Sequence, residues 1–406
     1  MNDVTKKMLT RFQLGGLILG LLSLGAIVGL GFLQGLDAMF ESYLLGFLIW
    51  TGLSLGCLIF LYVQHLAGGS WGALVRRPLE AGGMTIFLMA ILFVPLLLGL
   101  GSLYEWTNAE FLAAHPIVAS KTLYLNIPFF IGRSAFYFVV WGFGAWFFFK
   151  RAQDQDDNPE NATKIGFKLK QMGGFWIAIH VMTVTFAMID WSMSLTPEFF
   201  SGIYPVIYMI GQAIFAVCFV IFVTVWMAGR SAEVDELLTS KRLQDLGNFL
   251  MAFTMFWAYT SFAQLIILWS NNVVETNPYY LLRFGNLWKG IGLFLMFFGF
   301  FAPFLILFSR WVKRKRAALV SIAVWAVIIR LTDVYFFVVP EYGREGLQLT
   351  LTDVGAVVGI GALWLAAFAY FYGSRPPLPL NDPRLLPHDE HAHEDAQKVQ
   401  YSGAGD

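Results

Sequence analysis

Residues 204–227, YPVIYMIGQAIFAVCFVIFVTVWM, contain no charged side chain and decide how the chain must fold. About 20 apolar residues in a helix cross the roughly 30 Å of hydrocarbon in a bilayer. With 57% hydrophobic and 13% charged residues, the chain is an all-α integral membrane protein by composition. The ten predicted transmembrane helices lie near 12–34, 43–64, 84–103, 126–149, 173–194, 204–227, 246–270, 285–309, 319–338 and 351–372.

Positive charge is distributed unequally between the two sides of these predicted helices. The termini and loops on one side carry 21 Lys and Arg residues, whereas the loops on the other side carry three. Because positively charged loops remain in the cytoplasm, the sequence predicts that both termini are cytoplasmic. The first block, 12–34, is too long for a cleaved signal peptide and is expected to remain as a helix.

The chain offers few ligands for bound cofactors. Cys57 and Cys218 lie in separate predicted helices, so cysteine-bound haem, iron–sulfur and zinc centres are not predicted. The net charge of +0 gives no sign of a nucleic-acid partner. The proline-rich tail after the tenth helix should be extended and ordered only where a partner holds it. Three histidines cluster in this tail, His388, His391 and His393. No carboxylate or cysteine ligands accompany them at a defined structural spacing, so no metal site is predicted.

Charged residues inside the apolar blocks are the first candidates for chemistry, because charge in hydrocarbon is costly. Arg133 in the fourth block and Asp190 in the fifth should lie at nearly the same depth and neutralise each other. Lys289 in the eighth block and Asp333 in the ninth repeat this arrangement. Arg330 precedes Asp333 by three residues, which places both on one helix face.

The repeated cation and aspartate predict a duplicated architecture of two four-helix bundles, helices 2–5 and 6–9, with helices 1 and 10 at the periphery. The predicted regions are an N-terminal tail with helix 1, the first bundle, the second bundle, helix 10 and a cytoplasmic tail, at 1–42, 43–194, 195–338, 339–372 and 373–406.

Two roles are open for these buried groups. An ion pair can hold helices in register, or it can serve proton or quinone chemistry. His180 can be a core residue or a proton-transfer group, since its ordinary pKa is about 6.5. Asp190 is the candidate base near the outer face. The candidate proton paths run through His180, Thr183 and Thr185 in one half, and through Lys289, Arg330, Asp333 and Asp353 in the other.

Four stretches carry more information than composition alone. They are QHLAGGSWGALVRRPLEA (64–81), YLNIPFFIGRSAFYF (124–138), DWSMSLTPEFFSGIYPVIYMIGQ (190–212) and FWAYTSFAQLIILWSNNVVETNPYYLLR (256–283). Together with LNDPRL (380–385), they resemble the NrfD, or polysulfide-reductase, family of quinone-interacting membrane subunits. Within that family the chain is most similar to the shorter membrane subunit of alternative complex III, a bacterial quinol:cytochrome c oxidoreductase.

The resemblance implies a respiratory or photosynthetic electron-transfer complex in the bacterial inner membrane. A longer paralogous membrane subunit (ActC-like), an iron–sulfur subunit and c-type haem subunits would be the partners and would carry the cofactors. Arg133 and Asp190 match the region where the family places quinone, either menaquinone or ubiquinone. His180 lies deeper than a headgroup partner should, which favours a weak or vestigial quinone pocket here and quinol oxidation by the paralogue.

This chain would then supply scaffold and a proton path within the complex. Two other classes explain the same sequence features. A proton- or ion-coupled secondary transporter would show helix breaks at corresponding positions in its two halves. A purely structural membrane anchor would use every buried charge in an ion pair.

Overall fold

The computed structural model describes residues 3–271, 277–285, 287–344, 346–382 and 384. Within these residues, ten helices are long and apolar enough to cross a membrane. They are α1 (Asp3–Gln34), α2 (Leu36–Ala67), α3 (Ser70–Leu98), α4 (Ile127–Asp157), α5 (Ala162–Trp191), α6 (Tyr204–Ala228), α7 (Ser240–Asn271), α8 (Trp288–Phe308), α9 (Arg316–Val338) and α10 (Leu351–Gly373). The prediction of an all-α membrane protein with ten transmembrane helices is confirmed.

Helix α3 begins much earlier than the sequence predicts. The expected start near 84 left RRPLE in a loop, whereas the helix starts at Ser70 and bends at Thr85. Arg76, Arg77 and Glu80 are buried within its first part. Their charges hid this segment from a hydropathy argument, because burial of such residues requires partners that a local sequence window does not contain.

The helices pack as two rings of four. In the first, α2 contacts α3, α3 contacts α4, α4 contacts α5, and α5 returns to α2. In the second, α6, α7, α8 and α9 contact one another in the same cyclic order. Helices α2 and α6 join the rings, and their close approach depends on Gly56, where a Cβ atom would lie 2.1 Å from the Gln212 carbonyl oxygen.

Helices α1 and α10 form a pair beside the first ring. Gly16 on α1 faces α10 so closely that a Cβ atom there would lie 2.6 Å from the carbonyl oxygen of Ala362. Small residues allow such backbone contact between helices in a membrane. Helix α10 also packs on α2 and α3, so it is a more integral part of the bundle than a peripheral helix would be.

Local sequence signals fix where two of these helices start. Asn126 caps α4, because its side-chain oxygen accepts a hydrogen bond from the backbone N–H of Phe129 at 2.9 Å. Pro128 follows in the first turn, where a missing N–H costs nothing. At the start of α10, Thr350 and Asp353 form a reciprocal capping box.

Helix α8 contains a π-helical turn from Leu295 to Phe301. Such turns are rare and often occur at functional sites. Its Gly299 lies against Ile329 of α9 and Trp257 of α7, next to the buried charges of the second ring. The corresponding helix of the first ring, α4, is α-helical throughout from Ile127 to Asp157.

The segment after α10 is bound to the rest of the chain. Arg375 donates a hydrogen bond to the Phe149 carbonyl, and Asn381 donates to the Asp156 carbonyl at 2.8 Å. We call residues 375–382 with Arg384 the strap. The sequence predicted an extended tail that needs a partner, but its first part is ordered by α2, α3 and α4. The tail histidines, His388, His391 and His393, lie outside the described residues.

Candidate functional site

The Asp190 carboxylate on α5 is completely buried and is held by side chains of α4. Arg133 donates from Nε to Oδ2 at 2.9 Å and from Nη2 to Oδ1 at 2.8 Å, which makes a bidentate pair. The Tyr137 hydroxyl adds a third donor to Oδ2 at 2.8 Å. The pair predicted from matching depth is therefore present, and each carboxylate oxygen has at least one donor.

Each nitrogen of the Arg133 guanidinium donates one hydrogen bond within the protein. Its Nη1 donates to the Tyr124 carbonyl at 2.9 Å. Its Cζ lies 3.7 Å from the ring centroid of Tyr124 and 4.3 Å from that of Phe129, a geometry in which aromatic faces stabilise a cation. Only 10% of the Arg133 side chain is exposed. Little of this cation remains available to a ligand.

Polar side chains continue from Asp190 along the interior of α4 and α5. Trp141 donates from Nε1 to the Thr183 hydroxyl at 2.8 Å, and its ring lies 5.8 Å from that of Tyr137. His180 lies one turn from Thr183 and is 1% exposed. Neither ring nitrogen of His180 has a hydrogen-bond partner among the described residues. These residues form a line of polar groups within the first ring: His180, Thr183, Trp141, Tyr137 and Asp190.

Thr185 does not belong to this line, contrary to the prediction. Its hydroxyl donates to the carbonyl of Val181 on its own helix at 2.7 Å, and the residue is half-buried. Two helical residues separated by one position point in nearly opposite directions, because each residue turns the helix by about 100°. Thr183 faces the interior, so Thr185 faces outward.

The second buried acid, Asp333 on α9, is paired within its own helix. Arg330 donates to Asp333 one turn away, and Trp257 of α7 donates from Nε1 to Oδ2 at 3.2 Å. Both charged residues are buried, with 4% of Arg330 and 3% of Asp333 exposed. A Cβ atom at residue 211 would lie 2.0 Å from Cζ of Arg330, so any side chain at this position of α6 would displace the guanidinium.

Lys289 is not the partner of Asp333, and this prediction is wrong. Lys289 is exposed, whereas its neighbour Trp288 is 1% exposed and points into the protein. Within the described part of the chain, the cation that pairs with Asp333 is Arg330. Equal depth in the membrane was insufficient, because adjacent positions on a helix face different directions.

Asp353 stabilises the start of α10 and does not contact Asp333. Its carboxylate accepts hydrogen bonds from the Thr350 backbone N–H at 2.9 Å, from Arg344 at 2.7 Å and from the Ser42 hydroxyl at 2.7 Å. These contacts cap α10 and anchor the loop that precedes it. The predicted path that joined Asp353 to Lys289, Arg330 and Asp333 is therefore not assembled as proposed.

The sequence prediction missed a buried ion-pair network at the face where α1 begins and α10 ends, which we call the basic face. Glu80 accepts from Arg76 and Arg77, each at 2.7 Å. Arg77 also pairs with Asp156 at the end of α4. Arg76 reaches Asp382 of the strap at 3.0 Å. The signals were the charged pairs in RRPLE and NDPR, which lie about three hundred positions apart in the chain.

The strap closes this network over the end of α2. Arg384 donates to Asp382 at 2.7 Å and to the Gln64 side-chain oxygen at 3.0 Å. Burial alone would raise the pKa of the Asp382 carboxyl. The hydrogen bond and charge of Arg384, together with the charge of Arg76, instead hold that pKa well below its usual range. Asp382 is therefore ionised at physiological pH.

Two comparisons with known proteins were without a match for this chain. No protein-family model matches it, and no curated protein matches it significantly. Among the described residues, no three His, Cys, Asp or Glu side chains are grouped as metal ligands would be. The fold and the buried charges define a multi-pass all-α membrane protein whose described interior includes the ion pairs Arg133–Asp190 and Arg330–Asp333.

Proposed function

We propose that this chain is the ActF-type membrane subunit of alternative complex III, where it supplies scaffold and a proton path for quinol oxidation. One observation carries the proposal. The stretches that resemble the NrfD family also provide several of the buried polar contacts of the fold. Arg133 of the second stretch binds Asp190 of the third, and Trp257 of the fourth binds Asp333.

The first stretch and the tail motif follow the same rule. Arg76 of QHLAGGSWGALVRRPLEA binds Asp382 of LNDPRL. A chance resemblance in apolar sequence would involve leucines and phenylalanines scattered over lipid-facing surfaces. Residues of matching motifs that meet in the protein interior support a common architecture with that family. Under this proposal, the basic face lies on the cytoplasmic side of a bacterial inner membrane.

Redox centres belong to partner subunits in this proposal. The chain contains two cysteines, whereas an iron–sulfur cluster needs about four thiolates. The expected partners are the ActC-like paralogue, an iron–sulfur subunit and c-type haem subunits. The Arg133–Asp190 centre does not fit a quinone headgroup, because the donors of Arg133 are directed to Asp190 and Tyr124. Quinol oxidation is therefore assigned to the paralogue.

The proton path is proposed around Asp333 in the second ring. A cavity lies beside Asp333, Arg330, Trp257 and Thr254. The volume in which the centre of a water molecule fits is about 20 Å³. Asp190 has no comparable freedom, because Arg133 and Tyr137 occupy both of its oxygens. The acid with an adjacent water-sized cavity is the better proton carrier.

The test uses the assembled complex in sealed vesicles, with proton release and electron transfer measured together. We expect Asp333→Asn to lower the number of protons released per electron pair while quinol oxidation continues. Asp235→Asn is the control, because Asp235 is exposed and lies between α6 and α7 outside the two rings. Unchanged proton stoichiometry and turnover in Asp333→Asn would refute the path. Purification of the chain without haem-containing partners would refute the assignment to this complex.

A purely structural anchor is the second candidate, and the saturated Arg133–Asp190 pair favours it for the first ring. Buried charges that are completely paired within the protein hold helices together without moving protons. Under this alternative, Asp190→Asn and Asp333→Asn both change stability and leave proton stoichiometry unchanged in the surviving complex.

A further inference from the structure

Arg330 lies between two small cavities, one inside the second ring and one where α2 of the first ring meets α6 and α9. The first cavity lies beside Thr254, Trp257 and Asp333, and the volume in which the centre of a water molecule fits is about 20 Å³. The second cavity lies beside Tyr208 and Gln212, and the corresponding volume is about 10 Å³. Arg330 lines both. Since about 10–15 Å³ of such space holds one water molecule, each cavity is of the size of a single water site.

Two buried polar atoms next to these cavities lack a partner. Nη2 of Arg330 and the hydroxyl of Tyr208 have no partner within hydrogen-bond distance among the described residues, and the Ser192 side chain lies near the Tyr208 hydroxyl. Tyr208 is 1% exposed and Arg330 is 4% exposed, so bulk solvent does not supply the missing bonds. A buried donor without a partner destabilises the folded protein, and a charged donor does so more strongly. Ordered water in the adjoining cavities would satisfy both atoms.

The position of Arg330 is fixed from several sides. Its guanidinium lies against the backbone of α6 at Gly211, where a Cβ atom would be 2.0 Å from Cζ. Its Cζ is 5.5 Å from the ring centroid of Tyr208. Asp333 accepts its Nη1 hydrogen bond on the other side. The cation is therefore held between the two cavities and is not free to leave them.

Polar groups beyond the second cavity lead towards the first ring. The ring of Tyr208 lies 6.4 Å from that of Tyr204. The Tyr204 hydroxyl shares a 2.6 Å hydrogen bond with the hydroxyl of Ser192, which follows Asp190 by two residues. Without a barrier, a chain of hydrogen-bonded waters through the two cavities would connect Asp333 with the polar groups at the end of α5.

We infer that the two cavities are water-binding sites and that the fixed guanidinium of Arg330 keeps their waters from joining into one proton-conducting chain. A guanidinium remains protonated in proteins and cannot relay a proton. Its positive charge also repels a proton carried by water, as arginines do in channels that exclude protons. The role of Arg330 as a barrier rests on the proton path proposed above. The assignment of the two water sites does not depend on that path.

Two measurements on the full chain test the inference without quinol or partner subunits. The first is a structure at a resolution that shows ordered water. We expect one water within hydrogen-bond distance of Arg330 Nη2 and Asp333, and a second within hydrogen-bond distance of the Tyr208 hydroxyl. Empty cavities would overturn the assignment of water sites.

The second measurement is passive proton permeability of the reconstituted chain in vesicles under an imposed membrane potential. We expect Arg330→Gln to raise the permeability at least about tenfold, the factor that corresponds to about 1.4 kcal/mol of barrier. Arg310→Gln, which removes an exposed arginine, should leave the permeability unchanged.

Loss of Arg330 leaves Asp333 buried without its cation, so Arg330→Gln could fail to fold. The double variant Arg330→Gln with Asp333→Asn removes both charges and should fold. Because joined waters can conduct protons without a carboxyl group, this variant should also be more permeable than the unaltered chain. If either folded variant is as impermeable as the unaltered chain, the barrier is refuted. A complex that shows no quinol-coupled proton release would refute the proposed function and leave both of these measurements valid.

Discussion

Arg133 and Asp190 stabilise each other so completely that loss of one charge should be worse than loss of both. Arg133→Met leaves the Asp190 carboxylate buried without compensation, which typically costs about 3–5 kcal/mol of unfolding free energy. Replacement of both partners by apolar residues removes the desolvation cost as well. We expect Arg133→Met to be strongly destabilising and the double variant Arg133→Met with Asp190→Leu to recover most of the loss.

Reversible unfolding in detergent micelles measures this difference. Arg310→Met controls for the loss of an arginine, because Arg310 is exposed. A double variant as unstable as Arg133→Met alone would contradict the interpretation, since the cost would then arise from lost packing rather than from an unpaired charge.

The buried cations show what a sequence can and cannot predict about a site. Arg133 and Asp190 were matched by depth, and their helices are neighbours that face each other. Lys289 was matched by the same argument, but the tightly packed Trp288 fixes the rotation of its helix. Depth follows from counting residues along a helix. Rotation depends on which neighbouring side chain packs best, and that requires the tertiary structure.

Helices α1 and α10 permit a test with adjacent glycines as variant and control. A Cβ atom at Gly16 would meet the Ala362 carbonyl oxygen at 2.6 Å, whereas one at Gly15 would have no neighbour within 4 Å. Gly16→Leu should therefore separate the two helices and cost about 1–3 kcal/mol. Gly15→Leu should be tolerated.

Thermal unfolding in detergent and disulfide cross-linking between engineered cysteines on α1 and α10 would measure the effect. Both variants add the same side chain to neighbouring positions of one helix, so differences in hydrophobicity cancel. Equal losses of stability would show that the contact between Gly16 and α10 does not govern this interface.

At the scale of elements, apolar length predicted all ten helices but failed at the start of α3. Hydropathy is calculated from a local window of sequence. Arg76, Arg77 and Glu80 lower its value even though their charges are neutralised by ion-pair partners in the folded chain. Asp156 belongs to α4 and Asp382 to the strap, so the groups that neutralise these charges are remote in sequence. No window of about twenty residues contains that information.

For the whole molecule, the low pKa of Asp382 predicts how the strap responds to pH. The ordinary pKa of an aspartate is about 3.9, and that of Asp382 in the folded chain is lower. A depressed pKa contributes stability at pH values above the unfolded value and loses it only as pH falls through the folded value. The strap should therefore stay docked between pH 7 and about 5.

A spin label at Leu380, which is 59% exposed on the strap, would report docking through its mobility. We expect constant mobility across this pH range in the unaltered chain. Asp382→Asn should raise the mobility at both pH values, because Arg76 and Arg384 lose their shared carboxylate. Release of the strap between pH 7 and 5 in the unaltered chain would contradict the assignment.

The strap also orders events during synthesis of the protein. Gln64, Arg76 and Asp156 are translated early, whereas their partners in the strap are translated only after α10. A ribosome that stops before residue 375 leaves a chain with all ten helices but an incomplete set of ion pairs at the basic face. The last part of the described chain to be made therefore completes the ion-pair network at the end of the first ring, where Arg76 lacks its Asp382 partner until then.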